Sequence, residues 1–217
     1  MAAPSYKAKG TIGESTGNTV LFDYPAVDAN DMLFLVVLES DLKAVTPAAG
    51  WTLRQKQFVP SGSPVYAVYL YSKLATGSET GTESVSRTSG GVNTFAAQLY
   101  SYEGDAYLSI ESSSKNSNTS DTVTFSAVTV GGTERTLSAI VVNVFGGAVT
   151  TPTGYTEHAT DTLTDSTVFE CNTKANVSSD GAVTATGGSA SGWAAFHISL
   201  YNNTPVPGSG TRSFIVN

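Results

Sequence analysis

Cysteine is almost missing: Cys171 is the only one in 217 residues. No intrachain disulfide can form, and a cysteine-based zinc site is excluded. A secreted module held together by staples has a different composition, so this chain reads as made in a cytoplasm and stable by packing alone. Charge is sparse too. Only 13% of residues are charged, and 18 Asp and Glu against 11 Lys and Arg leave a net charge of −7. The basic residues are scattered, which argues against a phosphate-binding surface and a nucleic-acid partner. No apolar run approaches the roughly 18 residues of a membrane-spanning helix. The opening MAAPSYKAKG has no apolar core of a secretory signal.

Small polar residues and bare backbone fill the space that charge leaves. Thr (29), Ser (27) and Gly (21) make up just over a third of the chain. Together with an apolar fraction of 40%, too high for disorder, this is a strand-and-turn composition poor in helix formers. Apolar and β-branched runs at residues 31–39 (DMLFLVVLE), 65–73, 94–102, 122–125, 136–145 and 193–201 predict strands. The first is apolar without alternation, the mark of a strand buried on both faces. Gly, Pro, Asn and Ser clusters separate the runs, and no segment carries a capped 3.6-residue period.

The chain also resembles itself. Thr19-Val20-x-Phe22 recurs as Thr122-Val123-x-Phe125, and the apolar run from Leu33 recurs from Leu137. The turn Pro47-x-x-Gly50-Trp51-Thr52 recurs as Pro152-x-Gly154-Tyr155-Thr156. Ser63-Pro64-Val65-Tyr66 recurs as Ser166-Thr167-Val168-Phe169, and Phe95-Ala96-Ala97 as Trp193-Ala194-Ala195. Five matches in order, at shifts of 98 to 104 residues, predict an internal duplication with about five strands per half. Each half is long enough for its own sandwich; alternatively the halves are two facing sheets of one, which the short join favours. The expectation is an all-β, antiparallel, jelly-roll-like β-sandwich over residues 18–201. Its half-repeats are 18–104 and 121–201, joined by a Ser/Asn-rich loop and flanked by arms at 1–17 and 202–217. In each turn Pro and Gly set the bend, and the aromatic that follows plugs the end of the core. Pro47, Gly50, Trp51, Pro152, Gly154, Tyr155, Phe95 and Trp193 are therefore read as core and turn residues, with sugar stacking by Trp51 as the alternative.

Groups for catalysis are few. His158 and His197 have no partner histidine at i+2 or i+4, and there is no G-x-S-x-G elbow, P-loop or EF-hand loop. Glu39 and Asp41, and Glu103 and Asp105, stand two apart at strand ends and read as solvated turn acids; Glu157 and Glu170 are single. The chain is accordingly read as no enzyme, with no cofactor and no metal. Tyr69 and Tyr71 share one strand face and Tyr100 and Tyr102 another. They line the sandwich, or form a stacking platform for a protein or glycan partner. Phe214, Ile215 and Val216 make a strand-like C-terminal segment able to pair with the chain's own sheet or a neighbour's.

DMLFLVV, then TPAAGWT, VYAVYLYSKLATGSET and FAAQLYSYEG, resembles a recurrent group of tailed-bacteriophage structural proteins. In that group a Gly-Asp-Leu strand leads to Pro-Gly-Trp, an aromatic strand and an aliphatic strand. The likeness covers residues 19–104 well and 122–201 more weakly. Asn30-Asp31 stands where the group often has Gly-Asp, and Tyr155 replaces a second Trp. The resemblance implies a virion component: a capsid decoration or cement protein, or a tail, fibre or baseplate module. Its implied partners are the major capsid protein or tail proteins and further copies of itself, a trimer among the options, with no membrane and no nucleic acid. It carries no catalytic residue over.

Overall fold

The computed structural model of the chain describes residues 2–60, 65–89, 94–105, 107–179, 181–188 and 191–203. Among them are sixteen strands and no helix. The first nine are β1 (Ser5–Lys9), β2 (Gly13–Ser15), β3 (Thr19–Asp23), β4 (Met32–Ser40), β5 (Val45–Pro47), β6 (Thr52–Val59), β7 (Tyr66–Leu74), β8 (Thr82–Arg87) and β9 (Phe95–Glu103). Seven follow: β10 (Tyr107–Asn118), β11 (Thr122–Phe125), β12 (Arg135–Asn143), β13 (Thr156–Thr162), β14 (Val168–Val177), β15 (Val183–Thr186) and β16 (Trp193–Asn203).

Every pairing is antiparallel, and the strands form four sheets. One large sheet has the order β1-β9-β4-β7-β6, with β2 also on β9; the other has the order β10-β16-β12-β14-β13. Each large sheet is built from one half of the chain. The smaller sheets are β3-β8-β5 and β11-β15. Side-chain alternation shows how they stack. Phe34, Val36 and Leu38 of β4 meet Ile140 and Val142 of β12 and Phe196 and Ile198 of β16 in a central core. The opposite face of β4, Leu33, Leu35 and Val37, packs beneath Val20, Phe22 and Val85 of the three-stranded sheet. On the other side Leu137, Ala139 and Val141 pack beneath Val123, Phe125 and Ala185 of the two-stranded sheet. The result is an antiparallel β-sandwich of four layers. All nine residues of β4 are buried, and this is why its sequence is apolar without alternation although its sheet is antiparallel.

Strands in the same place in the two large sheets also correspond in chain order. β1 corresponds to β10, β9 to β16, β4 to β12, β7 to β14 and β6 to β13. Across the central core β1 lies against β13, through the Lys9–Asp161 ion pair at 2.5 Å and the Tyr6–His158 stack. At the opposite edge β6 lies against β10: Gln55 and Gln57 donate to the hydroxyls of Ser113 and Ser117 at 2.9 and 2.6 Å. The loops after β4 and β12 share one end of the stack, where Phe145 packs on Tyr66 and Thr94 donates to Asp165. The large sheets therefore face each other as an isologous pair does, about an approximate two-fold axis along the strands.

Three expectations need correction. Residues 1–17 are not an arm, because β1 and β2 both pair with β9 and the carbonyls of Thr16 and Gly17 accept from Arg87. The C-terminal boundary at 202 also moves, since Asn202 and Asn203 pair with Leu108 and Tyr107; residues 204–217 lie outside the described set. The Ser/Asn-rich join is strand β10, paired with β16 along its length. Its serines serve two layers. Ser113 and Ser117 bond to β6 as above, while Ser112 and Ser114 donate to the carbonyls of Thr129 and Ser126 at 2.7 and 2.6 Å.

The core shared by both halves predicts that they unfold as one cooperative unit. Each half holds one of the two tryptophans. Denaturant unfolding of the single-tryptophan variants W51F and W193F, each corrected for its own stability, is expected to follow a single transition that agrees with far-UV circular dichroism. Two separated transitions would show that the halves unfold independently.

Candidate functional site

The four tyrosines do not form an outer platform. Tyr69, Tyr71, Tyr100 and Tyr102 are all buried, because both faces of the large sheets are covered. Tyr69 and Tyr71 stack on each other under the three-stranded sheet. Their hydroxyls donate to the carbonyls of Lys43 and Val45 at 3.1 and 3.3 Å. Tyr100 and Tyr102 lie in the central core, where the Tyr102 hydroxyl meets Ser138 Oγ at 2.5 Å and Cys171 Sγ at 3.1 Å. Burial pushes the Cys171 thiol up to about 12, so it stays protonated and unreactive. Phe214, Ile215 and Val216 lie outside the described residues.

The two turns are built alike. Gly50 and Gly154 have φ of 95° and 82°, which a glycine adopts without strain. Lys73 stands 5.8 Å over the Trp51 ring, and Lys174 stands 5.8 Å over Tyr155. Pro47 ends β5, whereas Pro152 is buried under its turn. Tyr155, Phe95 and Trp193 are buried core residues, and the Trp193 Nε1–H donates to the Ser120 carbonyl at 3.0 Å. Trp51 is only half-buried. Its ring packs edge-on to Phe22, and its Nε1–H reaches Glu83 at 3.4 Å.

The ionisable groups in the stack are committed to the fold. Glu39 is not a solvated turn acid: it is fully buried and pairs with buried Arg87 at 3.4 Å. Burial raises its pKa, which the bonds from the Lys43 N–H and Arg87 only partly offset. Glu170, also buried, accepts from Asn172 and the Val149 N–H, and burial again leaves its pKa raised. His197 Nδ1 lies 2.9 Å from the Ser126 carbonyl and must carry the proton, so Nε2 accepts from the Tyr155 hydroxyl at 2.6 Å. Among the described residues no three His, Cys, Asp or Glu are placed to hold a metal ion.

Open space is found at the two seams between the large sheets. In β13 the register shifts between Glu157 and Ala159, and in β6 between Leu53 and Gln55. The bulged residues, His158 and Arg54, are 104 apart and occupy equivalent places. A bulge re-aims its side chain, and each of these lines a cleft. The cleft of about 300 Å³ between β1 and β13 holds Ser5, Tyr6, Thr136, Thr156, His158 and Lys174. Tyr6 stacks on the His158 ring at 4.4 Å, and His158 Nε2 meets Thr173 Oγ1 at 2.7 Å. Burial lowers the His158 pKa, so the ring is neutral at pH 7. The cleft of about 250 Å³ between β6 and β10 holds Met32, Arg54, Leu74, Tyr107, Ile110 and Tyr201. There Arg54 Nε donates to Ser72 Oγ at 2.6 Å, the counterpart of the His158–Thr173 bond. Neither cleft pairs an acid and a base around a nucleophile. One is rich in hydroxyls, and the other is cationic with apolar walls.

Sequence reading missed Arg54 and Arg87. The 104-residue shift carries His158 onto Arg54, so the repeat held the signal for the first. Arg87 aligns with Gly187 and had none. No protein-family model, curated protein or solved structure matches the chain.

Two outcomes test the packing roles. Trp193→Ala is expected to cost about 3–5 kcal/mol, and Trp51→Ala less because its ring is only partly buried; equal shifts in denaturation midpoint would contradict this. Glu79 tests the electrostatics. Burial raises its pKa, but the N–H of Thr76 and the Lys73 ammonium outweigh this and hold the carboxyl at about 2, below its ordinary 4.5. A depressed carboxylate stabilises the fold above its unfolded pKa and loses that contribution as pH falls through the folded one. Glu79→Gln should therefore lower Tm at pH 6, with the gap to wild type closing between pH 4.5 and 2. A gap independent of pH would refute the assignment.

Proposed function

We propose that the chain is a non-enzymatic structural protein of a tailed-bacteriophage virion, a decoration or cement protein on the outside of the head. The observation that carries this reading is the commitment of its chemistry. The motifs shared with the phage group are packing motifs, and Glu39, Glu170, His197 and the hydroxyls of Tyr69, Tyr71 and Tyr102 bond to the fold itself. A particle coat meets the outside without disulfides, which suits a core of four packed layers around one buried thiol. Net charge of −7 keeps free subunits apart before assembly. On this reading the protein is made in the host cytoplasm and resides in the virion. It binds the major capsid protein and associates with copies of itself, as a trimer in one arrangement. We further propose that the matching strand orders descend from an internal duplication. A tail, fibre or baseplate module is the alternative within the same class. Host-glycan binding is the alternative favoured by the two seam clefts.

Quantitative mass spectrometry of purified particles, with tailless heads compared to free tails, tests the proposal. The protein is expected at stoichiometric abundance on heads, and deletion of residues 204–217 is expected to lower that occupancy while leaving a folded, soluble protein. Recovery only in the soluble lysate, away from both heads and tails, would overturn the virion role.

A further inference from the structure

Arg54 differs from its neighbours in how it is partnered. Arg87 and Arg135 are paired with Glu39 and Glu111, whereas Arg54 forms no ion pair among the described residues. Its one hydrogen bond is from Nε to the hydroxyl of Ser72, itself 1% exposed. Arg54 is itself exposed; that bond, with the bulge at Leu53/Gln55, orients the guanidinium toward the cleft and leaves both terminal amino groups unengaged among the described residues. They belong to a cleft whose other walls are Leu74, Ile110 and the rings of Tyr107 and Tyr201. Tyr107 is 45% exposed although it is a large aromatic. The nearest acid on β10, Glu111, is occupied by Arg135 and Ser199 and does not compete.

A guanidinium oriented through Nε, with both terminal amino groups open, matches the two oxygens of a carboxylate. One cation in an acidic protein suits a single negative charge better than a phosphate dianion. The flanking rings and aliphatic walls suit a compact unit with apolar C–H faces. The cleft volume, about 250 Å³, is below the usual range for drug-sized ligands and holds a unit about the size of one sugar or one side chain. We propose that the Arg54 cleft is a carboxylate-binding subsite for a compact acidic unit: the carboxylate of an acidic sugar or of an acidic side chain. This inference does not depend on the virion role and would stand if that role failed.

NMR titration of the intact chain with sodium glucuronate, N-acetyl-aspartate amide and neutral methyl glucoside tests it. Saturable shifts at Tyr107 and Tyr201 are expected with at least one of the two acids and not with the glucoside; the acid that binds more tightly identifies the source. Arg54→Gln should weaken binding about tenfold or more, Arg54→Lys less, and His158→Gln, in the other cleft, not at all. Tyr107→Ala, which leaves the guanidinium in place, should also weaken it. Wild-type Tm in each variant shows that the fold is intact. No saturation by either acid, equal binding of the glucoside, or an affinity unchanged by Arg54→Gln would overturn the proposal.

Discussion

Burial of both faces of the two large sheets is the constraint on which the rest depends. A strand with water on one side tolerates polar residues at every second position; β4 and β12 lie between two apolar layers and do not. Their continuous runs of Leu, Val, Ile and Phe follow from that. Most polar side chains that enter the stack bring partners, since a buried polar group without one is costly; the Tyr100 hydroxyl is an exception. Glu39 accepts from Arg87 and the Lys43 N–H, and Arg87 also reaches the Ser40 hydroxyl. Asn143, its counterpart on β12, donates to the carbonyls of Gly147 and Gly187. Both side chains tie down the loop that follows the central strand, one as half of an ion pair and the other as a neutral amide.

The halves thus share a backbone plan and solve it with different chemistry. Lys7, bulged out of β1, pairs with Asp31 at 2.7 Å. At the equivalent places Glu111, bulged out of β10, pairs with Arg135 at 3.1 Å, so the contact is the same with the charges on opposite strands. Tyr69 and Tyr71 are matched by Glu170 and Asn172, and Trp51 by Tyr155. The turn glycine and the lysine over the aromatic are kept in both. Geometry that closes the core is the same in both halves, and side-chain chemistry differs, most visibly in the two seam clefts.

That division bears on function. A molecule whose acids and tyrosines serve its own packing is suited to being stable and to being held by others. The proposed virion role draws on the first property, and the Arg54 cleft on the second. The bulges matter because a regular edge strand would turn residues 54 and 158 along the sheet; the extra residue brings them into the seams between layers.

The all-β class, the apolar central strands and the two glycine turns were legible in the amino-acid sequence. Each rests on local pattern: β-branched runs, and φ requirements at Gly50 and Gly154. Strand β10 was not legible, because Ser and Asn have weak strand preference and only pairing with β16 and hydroxyl bonds to two layers make it a strand. The tyrosines had the right faces but the wrong surroundings, since alternation says which residues share a face and not whether another sheet covers it. Arg87 and Glu39 are 48 residues apart, and no local pattern announces their meeting. Sequence by itself determined the all-β class, the most apolar strands and where the glycine turns fall. Tertiary structure alone decided that the halves stack as four layers, and so which side chains are dry, which are paired, and that Arg54 and His158 face open clefts, because burial and pairing depend on contacts between segments far apart in the chain.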